Sequence, residues 1–79
     1  MRLTQHQQDD LARVRSDFEG MLGSLTRFIR VRDEPDIDGN CATYHYTHQK
    51  NIRRMDLLVP YGCLVVMGDL TLKLEVTIF

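Results

Sequence analysis

The chain has almost no net charge, few cysteines, few prolines and glycines and no long apolar run, and each shortage removes a class of function. A formal charge of −1 supplies no global field to draw in DNA, RNA or an anionic membrane, so any electrostatic role has to be regional. The two cysteines, Cys41 and Cys63, occur in a chain whose first ten residues lack the apolar core of a signal peptide. They therefore read as reduced thiols of a cytoplasmic protein. The longest uncharged stretch, residues 57–68, is interrupted by Pro60 and Gly62 and falls short of the about 20 residues that cross a bilayer. No membrane span is expected.

Reactive constellations are equally scarce. There is no Gly-rich phosphate loop, and no Ser/His/Asp set suggests itself. Cys41, His45, His48 and Cys63 are the right residue types for zinc, but on a strand Cys41 and His45 would stand about 13 Å apart at about 3.3 Å per residue. Cys41 and Cys63, two strands apart in a sequential sheet, would lie beyond the about 7 Å reach of a disulfide. The same separation argues against a Cys/His nucleophilic pair. Asp36-Ile37-Asp38-Gly39-Asn40 starts like a calcium loop, yet the positions that should hold its Gly and its closing Glu hold Cys41 and Thr47, so it reads as a turn. No enzyme activity, metal, cofactor or small-molecule substrate is expected.

What is there is a folded domain. The apolar share of 43 % and charged share of 27 % are those of a globular chain rather than a disordered one. At 79 residues it forms one domain, residues 1–79, of a size at which a core only just offsets an ordering entropy of about 1.5 kcal/mol per residue. Self-association or a partner would help, and a homodimer through an edge strand or the remaining apolar face is expected.

Thr4-Gln5-His6-Gln7 has the form of a capping box, with Thr4 as N-cap and Gln7 reaching back to its amide. Asp9 and Asp10 follow in the first turns, where the helix dipole favours negative charge. Leu11, Val14, Phe18, Met21 and Leu22 recur at helical spacing, and Gly23-Ser24 supplies a stop, which predicts a helix over 5–22. The spacing continues through Leu25 and Phe28, so a longer helix competes. The aromatic and β-branched residues Thr26, Phe28, Ile29 and Val31 favour a strand over 25–33 instead.

The turn formers of residues 35–40 then return the chain into a second strand, residues 41–47. A third strand is predicted at 52–59, a turn at Pro60-Tyr61-Gly62, and a fourth strand at 63–67. Gly68-Asp69 reads as a two-residue hairpin turn. Leu70, Leu72, Leu74, Val76 and Ile78 alternate with Thr71, Lys73, Glu75 and Thr77, the period of a half-buried strand. Sequential strands with short loops pair with their neighbours. The expected fold is α+β, an N-terminal helix on an antiparallel meander of about five strands, with the terminal strand at an edge.

Two charged features stand out. Pairing residue 33 with 41 sets Phe28 against Tyr46, Arg30 against Tyr44 and Arg32 against Ala42, an aromatic and arginine strip with Lys50, Arg53 and Arg54 nearby in sequence. Asp33, Glu34, Asp36 and Asp38 form an acidic cluster that needs solvent or a basic partner. Arginine beside aromatics suits protein interfaces and single-stranded nucleic acid alike, and it also suits rings packed under the helix with arginine stems at the rim. The acidic loop would repel phosphate, so the expected function is binding to a protein partner through Arg30, Arg32, Tyr44, Tyr46, Arg53, Arg54 and the acidic residues. Small domains of this kind are often accessory inhibitors from phages or mobile elements, in the manner of anti-CRISPR proteins. A single-stranded nucleic-acid-binding module and a structural or regulatory subunit of a larger assembly are the alternatives.

Overall fold

The computed structural model describes residues 2–49 and 64–79. One helix, α1 (Gln5–Leu25), precedes strands β1 (Phe28–Arg30), β2 (Asp36–Asp38), β3 (Cys41–His48), β4 (Leu64–Met67) and β5 (Thr71–Thr77). The fold is α+β, with the helix on an antiparallel sheet. Among the described residues no helix is long and apolar enough to cross a membrane.

The helix begins where its capping box places it. The Gln7 amide donates to Thr4 Oγ1 at 3.1 Å and the Thr4 amide donates to Gln7 Oε1 at 2.9 Å, so two otherwise orphaned donors are satisfied reciprocally. Asp9 and Asp10 fall in the second turn, the very first turn carrying no acid. Leu11, Val14, Phe18 and Leu22 form its buried stripe. The helix passes through Gly23 and Ser24 and ends three residues later than its predicted stop, with the Thr26 amide donating to the Leu22 carbonyl. Leu25 packs against the core, and that burial outweighs the local preference of Gly and Ser to end a helix.

The sheet is not a meander. Its order is β1-β3-β5-β4, with β2 pairing β3 beside β1. The terminal strand is therefore interior, paired along its length with β3 from Thr47↔Thr71 to Cys41↔Thr77 and on its other side with β4. It is not an edge, because both of its backbone sides are already paired. Its alternation from Leu72 to Ile78 is what an interior strand under a helix requires, because one face meets α1 while both backbone edges are paired. The predicted strand at 52–59 and the turn at 60–62 lie outside the described residues.

One turn is tighter than predicted and another is shifted by one residue. The loop expected over 35–40 shrinks to Gly39-Asn40, where Gly39 takes φ +60°, a conformation costly for any residue with a Cβ. Asp38 and Cys41 pair directly across it. In the β4–β5 hairpin the Gly68 amide donates to the Thr71 carbonyl at 3.0 Å, so Asp69-Leu70 is the turn rather than Gly68-Asp69. Leu70 consequently sits in the turn, half exposed, and does not anchor the helix.

The core lies between α1 and one face of β3 and β5. Phe18, Leu22, Ala42, Tyr46, Leu72 and Leu74 are essentially inaccessible, and the Phe18 and Tyr46 rings meet at 5.6 Å. Phe28 meets Tyr46 edge-on at the same separation, an arrangement favoured by the ring quadrupoles.

Candidate functional site

The first hairpin is offset by two residues from its expected register. Phe28 lies opposite His48 and Arg30 opposite Tyr46. An even slip preserves the face, so Phe28, Arg30, Tyr44 and Tyr46 do share one side of the sheet, as the pattern implied. That side is the one covered by the helix. Tyr44 is 5 % exposed and Tyr46 1 %, which makes the aromatic half of the strip core rather than surface. Large rings opposite an apolar helical stripe bury more area there than they would on the wet face.

Arg32 does not face Ala42. Five residues, 31–35, stand against only Tyr44 and His45, because the pairing ends at Arg30↔Tyr46 and resumes at Asp36↔Thr43. The odd excess of three reverses the pleat. Ile37 takes the place opposite Ala42 on the helix side, while Asp36 and Asp38 turn to the open face with Thr43 and Cys41. Arg53 and Arg54, with Lys50, lie outside the described residues, as does Cys63. Cys41 itself is half-buried on the open face.

Glu19 organises the arginine half of the strip. Arg30 grips it through Nε at 2.8 Å and Nη2 at 2.6 Å, and the Tyr46 hydroxyl donates to it at 2.8 Å. Burial opposes ionisation of Glu19, yet the bonds from Arg30 and Tyr46 and the charges of Arg30 and Arg15 outweigh it and hold its carboxyl below the usual value. The bond to Glu19 in turn raises the Arg30 guanidinium. Burial, then the same carboxylate, pushes the Tyr46 hydroxyl well above the ordinary tyrosine range. Desolvation raises Tyr44 also. This cluster ties α1 to the sheet.

On the open face Asp36 accepts from Arg32 and lies 3.0 Å from His45 Nε2. The Arg32 bond is the main reason that its carboxyl is lowered, assisted by His45 and opposed by partial desolvation. The rest of the acidic cluster is left over. Asp33 is 93 % exposed with Arg30 no nearer than 4.0 Å, and Glu34 and Asp38 are exposed and make no ion pair among the described residues. Beside them Ile29 and Val31 are exposed hydrophobics. The stretch from β1 to β2 thus carries exposed acids, Asp33 only loosely paired with Arg30 and Glu34 and Asp38 without an ion pair among the described residues, next to apolar side chains.

One residue escaped the sequence reading and another was weighed there only as a metal ligand. Glu19 follows Phe18 directly and lies four residues after Arg15, a spacing that flags an acid at the margin of a buried stripe. His48 ends β3 on the covered face, 5 % exposed, with neither ring nitrogen bonded among the described residues. No sequence signal separates it from a solvated loop histidine. Among the described residues no group of three or more His, Cys, Asp and Glu side chains is placed to hold a metal ion.

No protein-family model matches the chain, and neither any curated protein nor any solved structure is significantly similar to it.

Proposed function

We infer that the chain is a small non-catalytic module that binds a protein partner carrying a basic surface. The observation behind this reading is the broken edge at residues 29–38, where exposed Asp33, Glu34 and Asp38 accompany exposed Ile29 and Val31. Isolated surface aliphatics are ordinary, but apolar groups bordered by exposed, weakly compensated acids form the core and rim of a charge-complementary interface. Burial of Tyr44 and Tyr46 removes the stacking platform that a single-stranded nucleic-acid reader would need. The acids repel phosphate as well. Machines that handle nucleic acid present basic surfaces, which is why a phage-type accessory inhibitor of a host machine is the narrower form of this proposal.

Capture from a lysate of the native host tests it, using the chain and a variant with Asp33→Lys, Glu34→Lys and Asp38→Lys. The reading expects one protein to be captured by the parent chain, with retention falling as salt rises, and to be lost with the variant while the circular dichroism spectrum is unchanged. Equal capture by both chains removes the acidic edge from the interface. Retention of nucleic acid alone overturns the protein-partner reading.

A further inference from the structure

A groove of about 460 Å³ separates the N-terminal half of α1 from the acidic segment, a volume inside the range of about 300–1,000 Å³ typical of small-ligand sites. Leu3, Leu11, Ile37 and the Tyr44 ring give it an apolar lining, and Arg2 and Arg15 stand in the same wall. Asp33 and Glu34 border it opposite the helix.

Two side chains here keep polar capacity to spare. Tyr44 is 5 % exposed as a residue, but its hydroxyl oxygen is reached by solvent and makes no hydrogen bond to another of the described residues. Arg15 lies over that ring, its guanidinium carbon 5.9 Å from the centroid. Its Nη1 donates to the Asp33 carbonyl at 3.1 Å, which fixes the side chain across the groove. Its Nε is buried and unbonded, and its Nη2 donates to no group among the described residues. A guanidinium fixed by one backbone bond over the Tyr44 ring, with Nη2 to spare in the wall of an apolar-lined groove, is preorganised for an oxyanion.

We propose that this groove binds an apolar monocarboxylate, with the hydrocarbon body along Leu3, Leu11, Ile37 and Tyr44 and the carboxylate at Arg15 and the Tyr44 hydroxyl. Tyr44 is suited to donate, since desolvation keeps its hydroxyl protonated. Asp33 and Glu34 set the limit on ligand charge. They repel an anion in proportion to its charge, so a dianionic phosphate is disfavoured where a single carboxylate is accepted. The site does not depend on a protein partner, because its donors lie in the wall of the helix and the covered face rather than on the outer edge.

Titration of the full chain by amide-resolved NMR tests this with four probes of similar body: 3-phenylpropionate, 3-phenylpropanol, 3-phenylpropylamine and phenyl phosphate. Saturating shifts at Leu11, Ala12, Ile37 and Tyr44 are expected with the carboxylate, bound about tenfold more tightly than the alcohol, the factor that one charge-assisted hydrogen bond supplies. Arg15→Gln should remove that preference. Should Arg15→Gln perturb the fold, Tyr44→Phe, which deletes one hydroxyl, should weaken the carboxylate about threefold with the alcohol unaffected. Equal binding of alcohol or amine, shifts that never saturate, or tighter binding of phenyl phosphate would each overturn the proposal.

Discussion

Glu19 on the helix accepts the hydroxyl of Tyr46 from the middle of the sheet at 2.8 Å, while the same carboxylate holds Arg30 on the neighbouring strand. One side chain thereby joins α1, β1 and β3. Its removal has a calculable direction. Glu19→Ala leaves the Tyr46 hydroxyl buried and unpaired and should cost about 1–3 kcal/mol, whereas Tyr46→Phe keeps the Arg30 pair and should cost about 1 kcal/mol. Urea unfolding of both variants and of the double variant measures this, and simple additivity would show that the two groups do not act together.

Acid should weaken the fold through the same carboxylate. The folded Glu19 carboxyl lies below its ordinary value of 4.5, so its contribution is complete above that pH and is lost as pH falls through the folded value. Asp36, also lowered, acts in the same direction from the open face. Unfolding midpoints measured from about pH 6 down to about pH 3 should decline in the parent chain and decline less steeply in Glu19→Gln. Parallel curves would remove Glu19 from the acid limb.

At the alkaline end the tyrosines set the limit. Folded Tyr44 and Tyr46 are both raised, so the contribution of each is present below the unfolded tyrosine value of about 10 and is lost as pH rises beyond it. Phenolate absorbance of these two should therefore emerge only together with loss of far-ultraviolet circular dichroism. Full ionisation of all three tyrosines in a chain that remains folded would contradict their burial.

His48 offers a substitution that stabilises. Both ring nitrogens are buried without partners among the described residues, and each unsatisfied group costs about 1–3 kcal/mol. His48→Leu retains an apolar body of similar reach and should raise the unfolding midpoint by the equivalent of about 1 kcal/mol. A lowered midpoint would mean that the imidazole is serving a purpose there.

Core and open face should respond differently to truncation. Phe18 is 1 % exposed and packs on Tyr46, so Phe18→Ala should cost about 3–5 kcal/mol, as much as the whole stability expected of a chain this small. Ile29 is 69 % exposed, and Ile29→Ser should change stability by no more than about 0.5 kcal/mol. Thermal unfolding followed by circular dichroism distinguishes the two, and a large loss in Ile29→Ser would show that this side chain is covered.

The sequence by itself determined what short-range physics decides: the Thr4/Gln7 cap, the stripe of Leu11, Val14, Phe18 and Leu22, and the alternation from Leu72 to Ile78. Each rests on spacing within a few residues, where the period of a helix or strand dictates the face. The grouping of Phe28, Arg30, Tyr44 and Tyr46 on one side was legible for the same reason, since a slip of two residues leaves the pleat unchanged. Tertiary structure alone decided that this side is the covered one, that residues 31–35 bulge and turn Asp36 outward, and that β5 lies between β3 and β4. Those outcomes depend on which distant backbone fills each hydrogen-bonding edge and where the helix sits. Glu19 shows the difference most plainly: the acid at the margin of an apolar stripe is visible in the chain, but its partners Arg30 and Tyr46, 11 and 27 residues away, are brought to it only by the fold.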